Sequence, residues 1–239
     1  MAKRFAALTG RLPLERREAL RKRLLRMRRP ARLGSLRRTT PLSDHWGRDR
    51  GTPIDRYYIE RFLEREQSAI RGRVLEVLNA DYTRRFGREV AQSDVLDIDP
   101  QNPAATMLGD LAAADAIPTG IFDCFILTQT LQYVFDVGSA VRHVHRVLAP
   151  GGTVLCTLPS VSRIARSSLA GEYWRFTAAS ARSLFAASFG EEKVRVESQG
   201  SVLTSIAFLT GMAAEELSGP ELEETDPFFP LLITVTAQR

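Results

Sequence analysis

Cysteine, histidine and lysine are scarce in this 239-residue sequence: two Cys, three His, and three Lys among 33 basic residues. Cys124 and Cys156 each stand in a short apolar run, so a disulfide framework is excluded and reduced, buried thiols are expected. No group of His, Cys, Asp and Glu has metal-ligand spacing, which excludes a motif-built metal centre. A phosphate-cradling Gly-x-x-x-x-Gly-Lys loop and a Gly-x-Ser-x-Gly nucleophile elbow are both missing. No stretch reaches the ~18 consecutive apolar residues of a membrane span. The first residues also lack the apolar core of a secretory signal, so the cytoplasm is the expected location.

What is present is one domain's worth of apolar sequence behind a charged arm. Hydrophobic residues make up 44% of the chain, enough for one substantial core. Residues 1–50 hold 16 Lys and Arg against 4 Asp and Glu, a net +12, whereas residues 51–239 hold 17 against 24, a net −7. The reading is therefore a basic N-terminal arm and linker, 1–50, followed by a folded domain, 51–239. Within the arm, Leu14, Leu20, Leu24, Leu25 and Met27 among Arg and Glu predict a basic amphipathic helix over 13–29. Such an arm suits an acidic protein surface, anionic lipid or nucleic acid, and charge alone does not choose.

From residue 56 onward the period alternates between helix and strand. A helix is expected over 56–70, with Tyr58, Phe62 and Ile70 turned inward, and a short one over 82–86. Strands are expected at 74–77, 93–96, 105–108, 125–127, 153–158, 194–197 and 231–237, with helices over 178–189 and 202–217. The stretch 122–158 is the clearest βαβ unit: Val141, Val144, Val147 and Leu148 recur at helical spacing between two apolar runs. Ala149-Pro150-Gly151-Gly152 stops that helix. The fold class is α/β: a Rossmann-like, doubly wound, seven-stranded, mostly parallel sheet with helices on both faces, its ligand site at the carboxyl ends of the strands.

The segments Gly72–Val77 (GRVLEV), 95–100 (VLDIDP), Gly109-Asp110, 122–134 and 145–152 (HRVLAPGG) together resemble the class I S-adenosylmethionine-dependent methyltransferases, over residues 56–239. A WGxxRGTPIDRYYIE-like entry at 46–60 and YWRFT at 173–177 resemble a bacterial group within that class, often adjacent or fused to glycosyltransferases. The resemblance implies S-adenosylmethionine as cofactor, a small sugar-derived or glycosylated acceptor methylated on oxygen, and a glycosyltransferase as partner. Residue by residue it assigns Asp97 to the ribose, with Asp99 second, Asp110 and the Leu111 amide to the adenine, and Glu76 to the methionine end. Asn79 and Thr128 line the same crevice, and Arg56 and Tyr58 close it over the cofactor. Asp55, Tyr57 and Gln129, with Tyr173, Trp174 and Arg175 on the loop after the fifth strand, are read as the acceptor side. The general base stays unassigned, because His143 and His145 lie in ordinary helix sequence and His45 lies in the linker.

One segment departs from the pattern. The turn Leu78-Asn79-Ala80-Asp81 has no glycine, although its backbone must approach the cofactor and adopt positive φ. The closer relatives keep one glycine in this turn, and Leu78 stands where that glycine would be; Asn79 can tolerate the left-handed conformation, and the Leu78 side chain is expected at the pocket's mouth. This departure keeps a second reading open, a catalytically silent methyltransferase-fold binding protein. A third, an RNA methyltransferase with the arm on nucleic acid, has against it that Phe5 is the one Phe, Tyr or Trp among the arginines before Trp46.

Overall fold

A computed structural model of the chain describes residues 13–28, 34–165 and 171–239. Contacts divide the chain into two units, Met1–Thr40 and Pro41–Arg239. In the first unit, helix α1 (Leu14–Arg28) carries Glu15 in its first turn and Arg26 and Arg28 in its last, charges that suit the helix dipole. Its apolar residues do not form one stripe. Leu20 and Leu24 are half-buried, while Leu14, Leu25 and Met27 are exposed, so the helix is basic but not the amphipathic one expected.

The second unit begins earlier than the composition change at residue 51. The Leu42 N–H donates to the Thr210 carbonyl at 2.7 Å, and Arg50 forms a salt bridge with Glu216 at 2.5 Å. Helix α2 (Ile54–Arg65) starts at Pro53 and buries Tyr58, Ile59, Phe62 and Leu63. It stops short of the expected end, giving way to a tighter turn at Gln67–Ala69.

The sheet follows in the expected alternation: β1 (Gly72–Val77), α3 (Asp81–Phe86), β2 (Val90–Asp97), β3 (Met107–Leu108), β4 (Phe122–Thr128), α4 (Val137–Val147) and β5 (Leu148–Pro159). Then come α5 (Ala178–Phe189), β6 (Val194–Gln199), α6 (Val202–Thr210), α7 (Gly219–Glu223) and β7 (Leu232–Gln238). Strand order is β3-β2-β1-β4-β5-β7-β6. β1 to β5 pair in parallel, and β7 runs antiparallel between β5 and β6.

Alternate side chains of each strand feed two cores, which is why the strands read as continuous apolar runs. Leu75, Phe125, Leu127 and Val154 face α4 and α5, whereas Val74, Cys124, Ile126 and Leu155 face α2 and α6. Both cysteine thiols are fully buried there, and burial pushes their pKa values upward, so they are inert hydrophobes.

Two expected boundaries shift. β5 already begins at Leu148, so Pro150, Gly151 and Gly152 lie inside it as a bulge rather than as the stop of α4. α6 ends at Thr210, seven residues before the expected end, because Gly211 turns left-handed (φ 77°). A Cβ on Gly211 would stand 2.4 Å from the Ser43 carbonyl oxygen, so segment 41–47 and the end of α6 require glycine at this contact.

Candidate active site at the carboxyl ends of the strands

The crevice of a doubly wound sheet opens where strand order reverses, here beside β1, between β2 and β4. β1 ends at Val77, and the next residue, Leu78, has φ 74°. Its N–H donates to the Leu96 carbonyl at 3.0 Å, and its carbonyl accepts from Asn102 Nδ2 at 2.7 Å. The left-handed residue is therefore Leu78, at the glycine position of the turn, while Asn79 Oδ1 accepts from the Asp81 N–H at 2.9 Å ahead of α3. The leucine side chain is 60% exposed, so it lies outside both cores at the rim of the crevice. A leucine held at positive φ is strained by about 1–2 kcal/mol. Leu78→Gly, less the entropy that glycine adds to the unfolded chain, is expected to raise Tm by about 2 °C and to tighten S-adenosylhomocysteine binding, both readable by calorimetry. An unchanged melting temperature would show that the turn is unstrained.

Glu76 is 2% exposed, and its partners are inside the protein. Its carboxylate accepts from the Tyr82 N–H (3.1 Å), the Thr83 N–H (2.8 Å) and the Thr83 hydroxyl (2.7 Å). It thus caps α3, with backbone amides as the partners that a buried carboxylate needs. Burial raises its pKa in spite of those hydrogen bonds.

Asp97 closes β2 with 9% exposure. Burial alone would raise its pKa, but hydrogen bonds from the Asp99 N–H, the Asn102 side chain and the Ile98 N–H outweigh it and hold the carboxyl below its ordinary value. Asp99 itself is exposed, and its Oδ1 accepts from the Gln101 N–H at 2.9 Å. After the adjacent strand β3, Asp110 is exposed, with Oδ1 taking the Ala112 N–H at 2.9 Å as the cap of Leu111–Ala113. The Leu111 side chain is buried in the core.

The end of β4 brings further polar groups to this edge. Thr128 is half-buried, and Gln129 sits at φ 49°, its N–H donating to the Thr157 carbonyl at 3.0 Å. Gln129 Nε2, Gln132 Oε1 and Thr157 Oγ1 are buried and make no hydrogen bond among the described residues.

Beyond them the aromatic residues assemble. Trp174 Nε1 donates to the Val134 and Phe135 carbonyls (3.0 and 3.2 Å), and the Tyr173 N–H donates to the Gln132 carbonyl at 2.7 Å. The Phe135 ring packs edge-on against Tyr173 with centroids 5.3 Å apart and tilted against Trp174 at 6.2 Å. Tyr133, Phe135, Tyr173 and Trp174 are all exposed. Sequence reading found two of the four. Tyr133 and Phe135 lie five and seven residues past the end of β4, and their signal is an aromatic pair in the loop after a buried strand.

Three expected site residues lie elsewhere. Tyr58 is buried against α7, its hydroxyl donating to the Leu222 carbonyl at 2.7 Å, because it faces the core side of α2. Tyr57 accepts from Arg61 at 2.6 Å and lines a cavity of about 590 Å³ between α2, the end of α3 and residues 214–222. Arg175 pairs with Glu172 at 2.7 Å and donates to the Trp174 carbonyl at 2.8 Å, so its guanidinium staples the loop instead of facing an acceptor. Arg56 donates to the Tyr82 hydroxyl and stacks over that ring, which places α2's first turn beside the start of α3. Asp55, half-buried next to it, has its pKa raised by burial against the pull of Arg56 and Arg48. A further contact escaped the sequence entirely: the Arg163 guanidinium lies 3.7 Å over the Trp46 ring.

The residues present fit an adenosyl group. An ionised carboxylate ends β2, and Leu78 supplies the backbone conformation for which glycine is usual.

Residues 66–156 match the sequence model of the family described as "Methyltransferase domain". Over this span the chain is similar to methyltransferase domains. Around it, the fold is that of S-adenosylmethionine-dependent methyltransferases. A solved one from Mesorhizobium loti is 18% identical, covers 78% of this chain and 98% of its own, and superposes with a TM-score of 0.51. Another from Archaeoglobus fulgidus is 11% identical over 77% and 94%, with a TM-score of 0.52. The [4+2]-cyclase SpnF is 17% identical over 80% and 83%, also at 0.52. No curated protein matches the chain. Among the described residues no helix is long and apolar enough to cross a membrane, and no group of three or more His, Cys, Asp or Glu could hold a metal ion.

Proposed function

We propose that this methyltransferase domain transfers a methyl group from S-adenosylmethionine to a hydroxyl of a small sugar-derived or glycosylated acceptor. The cofactor supplies an electrophilic methyl on a sulfonium centre. Asp97 binds the ribose hydroxyls, Asp110 and Leu111 bind the adenine edge, and Thr128 lines the crevice between cofactor and acceptor. Arg56 flanks the cofactor's methionine end, and Asp55 stands beside it on the acceptor side. The observation that carries the acceptor class is the exposed cluster Tyr133, Phe135, Tyr173 and Trp174 at this edge. Its apolar ring faces suit the C–H face of a sugar, while the sugar's hydroxyls stay in water or reach Gln129.

Likeness of residues 46–60 and 173–177 to the glycosyltransferase-linked group supports a glycosyltransferase as partner, reached through the basic arm against an acidic surface. Buried, unpaired Cys124 and Cys156 support a cytoplasmic setting.

Titration with S-adenosylhomocysteine, then a transfer assay over matched glycosylated and sugar-free acceptors, tests the reading. Heat on titration and methylation only of glycosylated acceptors are expected. Folded protein that takes up no cofactor, or that methylates sugar-free acceptors equally well, overturns it. Phe135→Ala with Trp174→Ala is expected to raise KM for the glycosylated acceptor about tenfold with cofactor affinity unchanged, since aromatic contacts contribute about 0.5–1.5 kcal/mol each.

A further inference from the structure

We propose that Asn102 is a positioning residue for the nucleoside end of the site: its side-chain amide both holds Leu78 in a glycine-like conformation and aims Asp97 at the ribose. The inference rests on the cofactor reading for its second half only. Asn102 Nδ2 donates to the Leu78 carbonyl at 2.7 Å and to Asp97 Oδ2, which uses both amide hydrogens. The amide cannot swing away cheaply, because Asn102 Oδ1 accepts from the Ala104 N–H at 2.9 Å. Its backbone is tied as well: the N–H donates to the Asp99 carbonyl at 3.2 Å, and the carbonyl accepts from the Ala105 N–H at 3.1 Å.

The two ends of this bridge need each other. Glycine at position 78 would reach φ 74° without restraint, whereas leucine stays there only if the structure around it over-determines the turn. The Leu96 carbonyl fixes the Leu78 N–H, and Asn102 fixes the Leu78 carbonyl, so the residue is gripped on both sides. At the other end, Asp97 Oδ1 accepts from the Asp99 N–H at 3.0 Å and Oδ2 accepts from Asn102. The carboxylate's two oxygens accept about four hydrogen bonds in all, so beside the Asp99, Asn102 and Ile98 donors a position remains for a ribose hydroxyl. Asparagine suits this double bridge, since aspartate has no hydrogens to donate, serine has one, and glutamine is a methylene too long.

A double-mutant cycle decides the matter. Asn102→Ala, Leu78→Gly and the double variant are melted without ligand and titrated with S-adenosylhomocysteine. Asn102→Ala is expected to lower Tm by about 4 °C beside leucine and by less than half of that beside glycine. It is also expected to weaken S-adenosylhomocysteine about tenfold. Equal losses of Tm in both backgrounds would overturn the grip on Leu78. Unchanged affinity in a wild type that binds would overturn the aim of Asp97. A wild type that takes up no S-adenosylhomocysteine overturns the cofactor reading and the aiming role together, while the melting cycle still decides the grip. Should Asn102→Ala not fold, Asn102→Ser, which keeps one donor, replaces it in the same cycle.

Discussion

Asp97→Asn is expected to weaken S-adenosylhomocysteine binding roughly 50-fold, the largest loss of affinity from any conservative change in the crevice. The carboxylate lies at the end of β2, is ionised below its ordinary pKa, and already holds the Asp99 N–H and the Asn102 amide. Hydrogen bonds from hydroxyls to a charged acceptor contribute about 1.5–3 kcal/mol each. An amide keeps the shape, loses the charge, and turns one acceptor into a donor facing donors. Tm should fall by no more than about 5 °C, because the rest of the loop stays tied. Titration calorimetry on folded protein reads both. Affinity within threefold of wild type would move the ribose away from Asp97.

Glu76→Ala is expected to have the largest effect on stability, a fall in Tm of roughly 6–10 °C. The substitution leaves the buried N–H groups of Tyr82 and Thr83 without partners at the start of α3 and opens a cavity beneath it. Tyr82 would move with the helix, and with it the Arg56 contact at the rim. The same carboxylate gives a pH signature. Its folded pKa lies above the ordinary 4.5, so it binds its proton more tightly folded than unfolded. Its contribution is full below the unfolded value and is lost as pH rises through the raised folded one. The stability of wild type relative to Glu76→Gln should therefore decline as pH rises above the ordinary carboxylate value of 4.5, by scanning calorimetry. A difference that stays constant as pH rises above that value would show that burial does not raise the Glu76 pKa.

Much of the architecture could be read in advance. The helix Ala178–Phe189 falls on the residues expected, because Thr177 and Ser180 form its capping box and Gly190 its end. β4 and β5 were legible as apolar runs because both their faces are buried. The candidate site was legible in part. Asp97 and Asp110 stand at strand ends, which connectivity alone places at the crevice. Tyr58 and Arg175 could not be sorted this way. A tyrosine on an amphipathic helix looks the same whether it faces core or crevice, and the partner that engages Arg175, Glu172, is set by how the loop folds.

The sequence by itself determined the order of strands and helices, the buried state of both cysteines and the edge where a ligand enters, since these follow from local periodicity and the geometry of parallel crossovers. Only the tertiary structure decided which polar groups face that edge. Glu76 turns to amides six and seven residues along the chain, Asn102 reaches back 24 residues to Leu78, and Trp174 finds its acceptor 40 residues upstream. Each choice is made by whichever donor or acceptor folding brings within about 3 Å of a group cut off from water, and no local pattern encodes that distance.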